Sequence, residues 1–388
     1  MKLTKPFAPF IYYMCQGFSY IVPKEAVEKY GKDFFQNPVG TGPFVFKSWT
    51  PDLEIIIDKN PAYWDKDQHG NQIPYLSGIK FRFIKDLSQQ LLEFKNGNLY
   101  ESYRIPNELF KTIVNEDKTL TPEYSNFVVQ RKTSLSTQYY GFLVTSKVFS
   151  DVKVRQAFNY AIDREKILKY VMQGSATDPA IYGMVPPVMP NYNAKSIKGY
   201  SFDLAKAKQL MSDAGYPGGK GFPEVTLNIN EGGGRNTQIA EAIQDMLKEI
   251  GVTVKLQLLQ FAQHLDNIDA GRSDFYRLGW NADYPDPETF LNLFYGKNVP
   301  SNPKDVSPIN SFRYKNPEYD ALFEKAIATV DVAERNRLYE QAEQLAVNDA
   351  VCLFIYYDED WRLIQSFVRG FALDPMHRVN MRFTWLDK

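Results

Sequence analysis

The 388-residue sequence predicts an α/β protein. Three observations carry that prediction. First, Val225, Leu227 and Ile229 alternate, Ile239, Ile243, Met246, Leu247 and Ile250 share one helical face, and Val252, Val254, Leu256 and Leu258 alternate again. That is a strand–helix–strand crossover with parallel, right-handed connected strands. Second, Ile79, Phe81 and Phe83 alternate with Lys80 and Arg82, ahead of a helix that Asp86 can cap. Third, two helical patterns precede an apolar strand at 351–357. Strands separated by helices are the α/β signature.

Taken in order, 23–31 reads as a short helix with proline at its first turn and glycine past its end. Residues 44–57 read as a hairpin around Thr50-Pro51-Asp52. The helix after Asp86 runs through Leu91, Leu92 and Phe94 to Gly97. A short helix is expected near 108–114, then a connection, and an extended aromatic run at 135–144. The stretch 151–174 is helical and restarts at Asp163. Residues 175–200 are rich in proline, tyrosine and glycine and read as a long ordered loop. Asp203 caps a helix carrying Leu204, Ala207, Leu210 and Met211. The loop EGGGRN in the crossover lacks GK[ST] and GxGxxG, so it reads as a turn capped by Asn236 rather than a nucleotide cradle. Asn316-Pro317 opens one late helix, and Asp331 with Glu334 opens the next as a capping box. The tail mixes strand and turn.

Composition bounds the function. Hydrophobic residues make up 44% of the chain, enough for a large core and two or three domains. The net charge of −1 argues against a nucleic-acid partner, which demands a concentrated basic surface. Cys15 and Cys352 lie far apart with no CxxC; they read as two buried free thiols, able to pair only if the fold brings them together. His69, His264 and His377 are scattered, so no metal or cofactor site is indicated. Pro6, Pro9, Tyr13 and Met14 spoil a lipoprotein export signal ending at Cys15. No apolar run reaches the ~20 residues of a membrane span.

No GxSxG, HExxH or local Cys–His motif is present, and no acid–base pair stands out. The stretch 277–290, RLGWNADYPDPETF, is the one that suggests binding chemistry. Trp280 and Asp283 are three residues apart within apolar and aromatic neighbours. An uncompensated carboxylate there either closes a turn or waits for an external cation. Arg277, three residues before Trp280, would place a cation at another point of the same wall, suiting a ligand with an amine and a carboxylate. Alternatively Arg277 pairs with Asp274.

These segments resemble a known family. NPVGTGPFVFKSW with NPAYW, VRQAFNYAIDREKI, AKQLMSDAGYP, IAEAIQDMLKEIGVTV and LGWNADYPDPETFL are similar, in order, to the peptide- and nickel-type solute-binding proteins of ABC importers, nearest to oligopeptide-binding members. The resemblance implies a two-lobed periplasmic-binding-protein fold, with lobes at 1–134 plus 358–388 and at 135–357, and hinges near 131–140 and 355–362. It implies a non-enzymatic monomer that captures short peptides and hands them to a membrane permease, in the periplasm or on the outer face of the cell membrane. By resemblance Asp283 holds the peptide amine, Trp280 lines a side-chain pocket, Arg277 meets a carboxylate, Asn281 offers backbone bonds and Tyr139 contacts ligand. Some members carry a disulfide cysteine where this chain has Asn281. The chain starts just upstream of the helix at 23–31, so an N-terminal portion of the family pattern is expected to be absent and the first lobe incomplete. Other solutes (a sugar, a metal chelate or haem), a hydrolase using dispersed carboxylates, and a structural fragment without ligand remain the alternatives, with the scarcity of histidine counting against metal and haem.

Overall fold

A computed structural model describes residues 2–232 and 234–387. Its strands are β1 (Phe44–Thr50), β2 (Glu54–Lys59), β3 (Gly78–Arg82), β4 (Glu101–Ser102), β5 (Phe127–Phe142), β6 (Ala176–Pro179), β7 (Val225–Asn230), β8 (Val254–Leu259), β9 (Phe275–Asn281), β10 (Cys352–Gln365), β11 (Val368–Arg369) and β12 (Trp385–Leu386). The longer helices are α1 (Lys24–Tyr30), α2 (Leu87–Lys95), α3 (Val152–Ala161), α4 (Leu204–Asp213), α5 (Gly234–Lys248), α6 (Phe261–Asp269), α7 (Pro317–Ala328) and α8 (Val332–Asn348). The chain divides into two compact units. One holds the residues up to Tyr12 together with Thr133–Glu359, the other Tyr13–Lys132 and the residues from Asp360 on.

The first unit is built on a mixed sheet in the order β10-β5-β9-β7-β8. The crossover read from the sequence is there: β7 and β8 pair in parallel, Val225 with Val254 through Asn230 with Leu259, and α5 connects them. β9 lies parallel to β7 and antiparallel to β5. On one face of this sheet Phe142, Phe275 and Leu227 meet α3, α4 and α5 through Phe158, Met211 and Ile243, all 0% exposed. Phe275 is stacked on Phe142 at 5.2 Å and meets Phe149 and Phe158 at 5.8 Å each. On the other face Tyr139 and Tyr276 lean on Phe312, which reaches Phe294 and so Tyr319 of α7. α7 and α8 pack together through Phe323 and Tyr339.

The caps expected from the sequence are made. The side chains of Asp86, Asp163 and Asp203 accept the amides of Gln89, Lys166 and Lys206 at 2.7, 3.0 and 2.9 Å. Asn316 accepts two amides at the start of α7. Asp331 takes the Glu334 amide at 2.9 Å, but Glu334 turns its own carboxylate to Arg337, so only half of the capping box exists. Asn236 is a correction: α5 already starts at Gly234, and Asn236 instead donates from Nδ2 to the Asn230 carbonyl at 3.2 Å. Gly233 of that loop lies outside the described residues.

Three stretches differ from their sequence reading. β5 begins at Phe127, so the expected connection is strand; an apolar Val128 between Phe127 and Val129 gives no alternation to read there. The loop at 175–200 contains β6, which pairs with β10 through backbone atoms, Tyr356 opposite Pro179. α6 was not foreseen, because only His264 and Ile268 of it are buried.

The second unit carries the antiparallel sheet β1-β2-β3, β4 paired with the far end of β10, and the ribbon β11-β12. Its core joins Leu91, Phe94, Ile105, Phe110, Ile113, Trp361 and Leu363. Both cysteines are free and Cys352 is buried, but Cys15 is exposed, which corrects the expectation of burial for it. Among the described residues no helix is long and apolar enough to cross a membrane.

Candidate functional site

β9 decides where the residues of the RLGWNAD stretch point. Successive side chains of a strand face opposite ways. Phe275, Arg277 and Gly279 therefore share one face with their partners Phe142, Tyr140 and Gln138. Trp280 lies on the other face, opposite Thr137. A spacing of three makes neighbours on a helix and separates side chains on a strand. Arg277 and Trp280 therefore lie on opposite faces of β9, while Asp283, expected on one wall with Arg277, follows the end of the strand.

Arg277 does not pair with Asp274. Its guanidinium donates to Gln138 Oε1 and, at 3.2 Å, to Asn230 Oδ1. Gly279 makes the first contact possible: a Cβ there would lie 2.5 Å from Gln138 Oε1. Both acceptors are neutral amides, and among the described residues Arg277 makes no ion pair. Its fork is fixed while its charge is left uncompensated. His264, fully buried, meets the Arg277 carbonyl through Nε2 at 2.7 Å. Burial lowers the pKa of that imidazole by disfavouring its charged form. Its place is structural.

Beyond β9 the chain turns. Trp280 is half-buried, Asn281 and Asp283 are exposed, and Ala282 and Tyr284 are buried. One hydroxyl organises the turn. Thr289 Oγ1 accepts from Trp280 Nε1 and from the Asp283 amide, each at 3.3 Å, and lies 3.5 Å from Asp283 Oδ2. The carboxylate that closes the following turn is Asp286. It is 2% exposed, accepts the Glu288 amide at 3.0 Å and pairs with Arg335 at 3.1 Å. Glu288 takes the hydroxyl of Tyr284, and Tyr284 is stacked on Tyr12 at 5.6 Å. Burial raises the Glu288 carboxyl to about 7, with Asp286 and Asp283 adding to the rise. The segment thus holds two buried acids that serve the fold and one exposed acid held at its rim.

Tyr139 is 1% exposed, and its ring packs on Phe312 at 5.7 Å. Sequence reasoning missed Gln138, Asn230, Thr289, Asp286 and Arg335. The partners of Arg277 come from two other strands, and Arg335 is 49 residues from Asp286 in the chain. Asp286 and Thr289 lie in the same turn-rich run and so carry a local signal. Among the described residues no group of His, Cys, Asp and Glu is placed to hold a metal ion.

Comparison with known proteins gives this geometry its setting. Residues 1–302 match the bacterial extracellular solute-binding proteins, family 5, middle region. The chain belongs to that family. It is 30% identical over 352 residues to the glutathione-binding protein GsiB of Salmonella typhimurium and 28% identical over 380 residues to the periplasmic oligopeptide-binding protein OppA of Escherichia coli. These alignments take in 89% and 95% of this chain, which spans 64% of the length of each relative. The structure is similar to that of the periplasmic binding protein DppA of Helicobacter pylori in complex with peptide STSA, with a TM-score of 0.86 and 28% identity, over 100% of this chain and 72% of that one. The α/β fold is therefore that of the periplasmic binding proteins, and the family is one of solute-binding proteins rather than enzymes.

Proposed function

We propose that this chain captures short peptides for an ABC importer and presents them, as a monomer outside the cytoplasm, to a membrane permease. The observation that carries the reading is Asp283. An exposed carboxylate, set at the end of a strand by the Thr289 hydroxyl, is suited to a peptide's free amine. A charge-assisted bond of that kind contributes about 1.5–3 kcal/mol. Trp280 beside it offers an aromatic surface, and Asn281 is exposed at the strand end. Arg277, fixed by two amides and without an ion pair among the described residues, is suited to a carboxylate, though from the opposite face of β9. The relatives that bind glutathione and oligopeptides, and the structural neighbour with bound STSA, support the same ligand class.

Thermal unfolding with added ligand tests this. Trialanine should raise the melting temperature, since a ligand at about 100 times its Kd adds about 2.7 kcal/mol to stability. Glutathione, itself a tripeptide with a free amine, is the second probe. A rise with glucose or haem and none with either peptide would contradict the proposal.

A further inference from the structure

Glu343, in the middle of α8, is fully buried at 0% exposure and lies outside the turn that carries Asp283. Its Oε1 accepts the amides of Met184 and Val185 at 2.6 and 2.8 Å, and its Oε2 accepts the hydroxyl of Tyr192. Gly183 stands against it so closely that a Cβ would come within 2.4 Å of Oε1. Met184 connects this carboxyl to the candidate ligand site. Its carbonyl accepts the Thr137 hydroxyl at 2.7 Å, and Thr137 is the cross-strand partner of Trp280. A continuous line of bonds runs from a buried acid to the strand end that presents Trp280 and Asp283.

The groups facing Glu343 come from every element around it. Tyr192 belongs to the segment after β6, Tyr357 and Cys352 to β10, Tyr319 to α7 and Glu340 to α8 itself. None of these is a cation. Tyr357 holds the same segment by donating to the Gly183 carbonyl at 3.0 Å. Three donors favour the ionised acid, while burial and Glu340 oppose it. Burial wins, and the carboxyl is raised to about 7. Proton uptake has a defined local effect. A neutral carboxyl keeps Oε1 as an acceptor, but its bonds to Met184 and Val185 lose their charge assistance, and the bond to Tyr192 must reverse direction.

We propose that Glu343 is a positioning residue for the ligand site, a proton-binding group whose charge state sets how firmly the Gly183–Tyr192 segment is held against Thr137 and Trp280. The assignment of that strand end as a ligand site rests on the function proposed above; the titration of Glu343 does not. In the full chain with carboxyl-labelled glutamate, the resonance absent from Glu343→Gln should titrate near neutral pH. Exchange of the Met184 and Val185 amides, corrected for its intrinsic pH dependence, should slow as the acid ionises. The Trp280 indole resonance should move with the same midpoint, and both responses should be flat in Glu343→Gln. Tyr192→Phe removes one donor, should raise the midpoint further, and keeps the test available if Glu343→Gln does not fold. A Glu343 midpoint in the ordinary carboxylate range, or indole and amide responses that ignore its titration, would overturn the proposal. Trialanine affinity measured across the same pH range separates the two claims. Absence of trialanine binding removes the peptide reading, whereas the ligand-free titrations still decide the role of Glu343.

Discussion

Asp283 and Asp286 sit three residues apart in opposite surroundings. Asp286 is buried and its charge is matched by Arg335 at 3.1 Å, whereas Asp283 is exposed at the rim of the turn. Arg335→Ala would strand a buried carboxylate and should cost about 3–5 kcal/mol. At roughly 2–4 °C per kcal/mol for a unit of this size, calorimetry should record a drop on the order of 10 °C. Asp283→Ala should leave the melting temperature within a degree or two of wild type, because surface changes usually stay within about 0.5 kcal/mol. Glu288 adds a pH dependence. Its folded-state pKa is raised from 4.5 to about 7, so the folded chain binds the proton more tightly than the unfolded one. The stability it contributes is complete below about pH 4.5 and is lost as the pH rises through about 7. Wild type should therefore lose stability over that window relative to Glu288→Gln. A pH-independent difference between the two would contradict the assigned burial effect.

At the scale of elements, β9 shows both what the sequence reveals and what it hides. Its strand character, its apolar start and the acid beyond its end are legible, because alternation and turn residues are local signals. The partners of Arg277 are not, since Gln138 and Asn230 arrive through sheet pairing between β5, β9 and β7. The same division holds elsewhere. Caps at Asp86, Asp163, Asp203, Asn316 and Asp331 were readable because a cap needs only the next three residues. β6 was not, because its pairing with β10 rests on backbone atoms within a proline-rich run. Asp331→Ala should cost about 0.5–2 kcal/mol by freeing the Glu334 amide at the start of α8. Glu334→Ala should cost less, because its carboxylate serves an exposed pair with Arg337 rather than the cap. Equal losses in urea unfolding would show that the box is complete in solution.

At the scale of the molecule, each unit has its own buried cluster, one centred on Phe275 and Phe142, the other on Phe94 and Trp361. Phe275→Ala and Phe94→Ala should each cost about 3–5 kcal/mol. Hydrogen exchange should assign the losses separately, in β7, β8 and β9 for the first and in α2 and β4 for the second. A uniform loss of protection after either change would mean that the clusters act as one core. The proposed ligand is where the account is most exposed. The most direct measurement is titration calorimetry of wild type and Asp283→Ala with trialanine and with N-acetyl-trialanine. The account predicts that the substitution weakens trialanine by about 10- to 150-fold, the equivalent of about 1.5–3 kcal/mol, and leaves the already weak N-acetylated peptide nearly unchanged. Equal effects on both peptides, or none on either, would contradict the role of Asp283 as the amine anchor.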